Sequence, residues 1–139
     1  LILLAALLLT LASCATTPVT ATSASQVPSN RLLAGYSAMA TASPELVHVT
    51  IVRDAGMLGS GPSAKLSING ADVAKLRTSE RLDIYLKPGS YIFGVEPSPR
   101  LMGALVESSF DLAKGKQYFF RISVSTGGSL VFQPSARLE

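Results

Sequence analysis

The stretch Lys65-Leu66-Ser67-Ile68-Asn69-Gly70-Ala71-Asp72-Val73-Ala74-Lys75-Leu76 decides the fold. Leu66 and Ile68 alternate with Lys65 and Ser67, the period of two that turns one face of a strand to a core and the other to water. Asn69-Gly70 follows. It is the strongest short-range hairpin signal, because both residues tolerate positive φ. Val73 to Leu76 is then the return strand.

The same pattern recurs on both sides of this hairpin. Upstream, Val47, Val49 and Ile51 alternate with His48, Thr50 and Val52. Downstream, Leu82, Ile84 and Leu86 alternate with Asp83, Tyr85 and Lys87. Lys87-Pro88-Gly89-Ser90 is a turn, with proline setting φ and glycine supplying a positive one. Tyr91, Phe93 and Val95 alternate with Ile92, Gly94 and Glu96 until Pro97 and Pro99. Val106, Ser108, Phe110 and Leu112 oppose Leu105, Glu107, Ser109 and Asp111. After the Lys114-Gly115-Lys116 turn, Tyr118, Phe120, Ile122 and Val124 oppose Phe119, Arg121, Ser123 and Ser125. Gly127-Gly128 turns the chain into a last strand, Leu130 to Gln133. Short strands at roughly 8–12-residue spacing are the signature of a sandwich or small barrel. Residues 45–139 are therefore expected to form one all-β domain, an immunoglobulin-like sandwich of about seven or eight strands.

The N-terminus reads differently. Residues 1–12, LILLAALLLTLA, are too few for a membrane span, which needs about 20 apolar residues, but suit the apolar core of a signal peptide. The run ends in Leu11-Ala12-Ser13-Cys14, which resembles the lipobox of bacterial lipoproteins. That implies cleavage after residue 13, so that 1–13 is a signal peptide whose basic start is missing, and acylation of the Cys14 thiol. Two or three acyl chains hold a protein durably on a bilayer. Ala15, a residue other than Asp after the cysteine, implies outer-membrane sorting if the source has two membranes. Residues 14–44 are rich in Ala, Thr, Ser and Pro and show no sustained period. They are expected to be a disordered, acylated tether, with a short helix between Arg31 and Met39.

Composition narrows the chemistry. The chain has 139 residues, a net charge of +3, one His and one Cys. One cysteine forms no internal disulfide. Basic residues are scattered among acidic ones with no stripe, which argues against nucleic acid. No cofactor and no metal site are expected. Gly56-Met57-Leu58-Gly59-Ser60-Gly61 lacks the Lys-Ser/Thr of a phosphate loop and reads as a strand connection. No Cys, second His or carboxylate cluster accompanies His48, which reads as an outward-facing strand residue. Asp83 and Glu107 read as carboxylates on separate solvated faces. Tyr118 and Phe120 share a face and read as core. Phe119 and Arg121 then point the other way, an aromatic beside a cation that would suit a partner surface unless the tether or a neighbouring strand covers it.

The segment from Val49 to about Val131 resembles a family of small bacterial lipoprotein domains of unknown function, related to PEGA and carboxypeptidase-regulatory-like sandwiches. The resemblance rests on the strand ending in Arg53, the glycine-rich loop, Leu66-Ser67-Ile68-Asn69-Gly70, Leu86-Lys87-Pro88-Gly89-Ser90-Tyr91 and Gly115-Lys116-Gln117-Tyr118-Phe119-Phe120-Arg121-Ile122. It implies a PEGA-like sandwich and no activity. The expected function is a membrane-anchored envelope module that binds a protein or cell-wall component without catalysis. A passive structural lipoprotein and a small envelope hydrolase are the alternatives. The hydrolase would need a nucleophile–base pair or a metal cluster.

Overall fold

The computed structural model describes residues 16–56, 61–100 and 103–136. The expected signal peptide, with Leu11, Ala12 and Ser13, and the expected acylation site Cys14 lie outside these residues.

The described residues form a two-sheet β-sandwich of nine strands. These are β1 (Ser25–Gln26), β2 (Val47–Arg53), β3 (Ser63–Ile68), β4 (Ala71–Leu76), β5 (Glu80–Leu86), β6 (Gly89–Ser98), β7 (Val106–Leu112), β8 (Tyr118–Val124) and β9 (Leu130–Ser135). One sheet runs β1-β5-β2-β8-β9 and the other β4-β3-β6-β7. Pairing is antiparallel except between β1 and β5 and between β2 and β8. The β3–β4 hairpin turns at Asn69 (φ 48°) and Gly70 (φ 80°), the double positive φ expected of Asn-Gly.

The alternating apolar positions meet between the sheets. Phe93 of β6 and Phe110 of β7 face Phe120 of β8 and Phe132 of β9, with ring centroids 4.7–6.0 Å apart. Such spacings favour offset and edge contacts, and each buried phenyl contributes about 1.5–3 kcal/mol. Around them lie Val49, Ile51, Leu66, Ile68, Ile84, Val95 and Ile122, all buried. Arg53 ends β2 inside this body at 2% exposure. Its guanidinium donates to the carbonyls of Leu76 (2.7 Å) and Pro62 (2.9 Å), so a buried cation ties the end of β4 and the start of β3 to β2. Burial pushes its pKa down and Glu80 opposes that push.

The structure corrects the expectation of a disordered tether at residues 16–44. This segment covers the side of the sandwich where the outermost strand of one sheet, β5, and that of the other, β4, would stand open. Thr17 and Ala55 exchange backbone hydrogen bonds of 2.7 and 2.9 Å. Ser25–Gln26 then adds to β5 as the ninth strand, absent from the sequence-based count. Two short 3₁₀ turns, Ser29–Arg31 and Ala34–Met39, stand where the helix was expected. Leu33 N–H donates to Val73 O at 2.8 Å. Val27 is buried, and Leu32, Tyr36 and Met39 pack on the core. Four apolar residues without regular spacing escape a periodicity test, yet suffice to seat the segment. The Arg31 guanidinium forms a two-pronged ion pair with Glu80, and Arg31 also donates to Lys75 O at 3.2 Å.

Gly35 permits the close approach of this segment to β4. A Cβ on it would sit 2.7 Å from Asp72 O, a backbone atom that cannot rotate away. Gly35→Ala should therefore destabilise the fold by about 1–3 kcal/mol and lower the melting temperature by several degrees. Gly127→Ala, whose Cβ meets only Ser125 Oγ at 3.8 Å, should change it little. Paired thermal melts followed by circular dichroism test this, and equal melting temperatures would refute the packing described.

Candidate functional site

Alternation sends every second residue of the five-stranded sheet away from the core, and the register decides which of them meet. Tyr85 is paired with His48. The next pair is Asp83 and Thr50, with Phe119 of β8 next to Thr50. Then come Arg81 and Val52, with Arg121 next to Val52. β2 and β5 are separated in sequence by the β3–β4 hairpin, so no local signal joins His48 to Asp83.

The carboxylate of Asp83 is the hub of this face. His48 Nε2 lies 2.9 Å from Oδ1, and Thr50 Oγ1 donates to the same oxygen at 2.8 Å. Arg81 donates through Nη2 to Oδ1 at 2.8 Å and through Nε to Oδ2 at 2.9 Å. Gln26 of β1 donates to Oδ2 at 3.0 Å. Burial works against ionisation here, but the hydrogen bonds from Arg81, Gln26, His48 and Thr50 outweigh it and hold the carboxyl well below the usual carboxylate range. An ionised carboxylate only accepts, so His48 carries its proton on Nε2. Nδ1 is then the acceptor for Gln117 Nε2, 3.1 Å away. The imidazole stacks on Tyr85 with centroids 4.8 Å apart.

This geometry limits the chemistry available. A hydroxyl–imidazole–carboxylate relay places the hydroxyl and the carboxylate on opposite ring nitrogens. Here Thr50 and Asp83 meet the same nitrogen, and the hydroxyl donates to the carboxylate. Thr50 is also 1% exposed. The network orients the imidazole and fastens β1, β2 and β5 together.

His48 does face outward, as its alternation implies, and the pairing of β2 with β5 brings a single carboxylate, Asp83, to it. Asp83 and Glu107 lie on β5 and β7, in different sheets, in agreement with separate faces, but Asp83 is not solvated as expected, its side chain being 16% exposed beneath its hydrogen-bond partners.

Phe120 is buried, and Tyr118 packs against the core while its hydroxyl accepts from Ala113 N–H at 2.9 Å. Phe119 and Arg121 point the other way, as expected, but they do not form an open aromatic–basic patch. Phe119 is half-buried. Arg121 is ion-paired with Asp54, and its side chain is only 15% exposed. Val19 N–H also donates to Asp54 Oδ1, at 3.2 Å. Burial pushes the Asp54 carboxyl up, and the hydrogen bonds from Arg121 and Val19 only partly offset it. The N-terminal segment thus covers the Arg121 end of the face, while Arg81 Nη1 reaches Ala21 O at 2.8 Å. The end bearing Tyr85, His48 and Gln117 is left uncovered by these contacts.

The outer face of the second sheet carries its own charge cluster. Lys65 Nζ lies 2.7 Å from Glu96 and 3.2 Å from Asp72, and Arg100 Nε lies 2.9 Å from Glu96. Lys65 holds the Glu96 carboxyl below its ordinary value. Among the described residues, no three His, Cys, Asp or Glu side chains are grouped to hold a metal ion, and no helix is long and apolar enough to cross a membrane.

Asp83→Asn removes the charge on which these donors converge and should cost about 2 kcal/mol at pH 7. A depressed carboxyl stabilises the fold above its unfolded pKa, about 3.9, and loses that contribution as pH falls toward the folded value. The wild-type advantage over Asp83→Asn should therefore hold at pH 7 and shrink below about pH 4. Asp54 titrates in both proteins and drops out of the comparison. Urea melts across this range test it, and a difference independent of pH would contradict the assignment. No protein-family model matches the chain, and no curated protein does.

Proposed function

We propose that the protein is an exported lipoprotein, cut before Cys14 and acylated there, whose sandwich is a binding module of the bacterial envelope. The observation that carries the anchoring is Leu11-Ala12-Ser13-Cys14, one residue, Thr10, after the apolar run from Leu1 to Leu9. Small residues before the cut let a protease approach the backbone, and the thiol that follows accepts the lipid. The module belongs at the outer membrane if the source has two membranes, and a PEGA-like sandwich is the scaffold this reading assigns.

Binding rather than hydrolysis is supported by the state of the one imidazole. Both ring nitrogens of His48 are engaged, and the Asp83 carboxylate is saturated by its own neighbours. What remains for a protein or cell-wall partner is the uncovered end of this face: Tyr85 stacked on His48, Gln117, and Phe119 next to Thr50. Aromatic residues flanked by amide and imidazole groups suit a contact surface. Arg121, committed to Asp54, supports that surface from beneath the N-terminal segment.

Cys14→Ser should abolish incorporation of labelled fatty acid and release the protein from the membrane fraction. Continued labelling of the variant would refute the anchoring. For the binding surface, crosslinking in intact cells with Phe119→Ala and Tyr85→Ala combined should lose attached partners while the melting curve stays cooperative. An unchanged crosslinking profile would refute this surface. Truncating a residue at the centre of a contact typically costs about 2 kcal/mol or more, so the loss should be visible without quantitative binding data.

A further inference from the structure

We infer that the sandwich is held with a defined end against the lipid surface, not suspended on a long leash. The inference rests on acylation at Cys14, as proposed above. Sequence composition implied a tether of some 30 residues, with a root-mean-square reach of about 30 Å. The structure removes most of it. Thr17 is fastened to Ala55 by two backbone hydrogen bonds, and Val19 is held by Asp54. Only three residue steps separate Cys14 from Thr17, at most about 11 Å of extended chain.

Ala55 follows the C-terminal end of β2, so strand directions give the composition of the membrane-facing end. β2, β4, β6 and β8 finish there, and β3, β5, β7 and β9 begin there. Its turns are 54–62, 77–79, 99–105 and 125–129. Among the described residues of these turns the one carboxylate is Asp54, which is 2% exposed and paired with Arg121. Arg77 is exposed, and Leu105, 41% exposed, is one of the large apolar side chains presented to solvent. A shallow hollow lined by Pro97, Ala104, Val106, Gly127, Gly128 and Leu130 also opens at this end. Turns of small and apolar residues with two exposed arginines, Arg77 and Arg100, and no exposed carboxylate among their described residues can approach anionic headgroups without a large desolvation cost, although Glu107, one residue into β7, is exposed beside them. The opposite end carries Glu45, Lys87, Lys114 and Lys116, and β2 alone sets the two ends roughly 23 Å apart. The occupant of the first end is therefore the bilayer that holds the acyl chains. Tyr85, His48 and Gln117 lie on the outer face of the sheet near the far end, away from it.

The test uses the full-length acylated protein in vesicles of phosphatidylethanolamine and phosphatidylglycerol containing a nitroxide headgroup lipid. A fluorophore is placed on Thr126→Cys or on Lys114→Cys, Cys14 being blocked by its lipid. Quenching at position 126 should exceed that at 114 several-fold. A flexible Gly-Ser insertion between Ala15 and Thr16 should bring the two values together. Equal quenching in the uninserted, acylated protein would overturn the orientation and leave the anchoring intact. Absence of fatty acid on Cys14 by mass spectrometry would overturn the anchoring and, with it, this inference.

Discussion

A β-sandwich must hide the strands that border its open sides, and in this protein the side between β5 and β4 is closed by the chain's own N-terminal segment. Residues 16–44 do this with little apolar surface: Val27 buried, and Leu32, Tyr36 and Met39 laid on the core. Backbone groups complete the closure. β1 adds to β5, Leu33 pairs with Val73, and Thr17 pairs with Ala55. An uncovered β5 would offer unpaired N–H and C=O groups to any other strand, so the segment also protects the sheet from edge-to-edge association.

The charged groups follow from that closure. Glu80 and Arg31 meet because β1 brings the chain past the start of β5. Asp54 and Arg121 meet on the face that Val19 crosses. Gln26 reaches Asp83 from the added strand. The Arg31–Glu80 and Arg121–Asp54 pairs each join separate parts of the chain, and the polar interactions that would be expensive to leave unmade lock the segment in place. Arg53 does the same from within the body, where it donates to carbonyls of two other parts of the chain. The Phe93, Phe110, Phe120 and Phe132 cluster gives the sheets their cohesion, and the polar contacts define where the covering segment lies.

These two layers bear on function together. An acyl anchor on a disordered leash would confer proximity and no orientation. An anchor three residues from the fastened Thr17, as proposed, would confer both, and would turn one end of the sandwich to the lipid and the Tyr85–His48 end away from it. A saturated carboxylate and an oriented imidazole fit a rigid contact surface, where pre-organised side chains lose little entropy on binding.

The sequence by itself determined the all-β class, the Asn69-Gly70 turn, the inward set that includes Phe93 and Phe120, and the outward direction of His48, Phe119 and Arg121. These follow from the period of two and from residues that tolerate positive φ, both local properties. The tertiary structure decided what local properties do not encode. The pairing of β2 with β5, across an intervening hairpin, brings Asp83 to His48. The parallel pairing of β2 with β8 sets Arg121 near Asp54. The Ala-, Thr- and Ser-rich stretch that reads as a tether became a wall, because its few apolar side chains find a groove between two sheets that exists only after the strands have assembled.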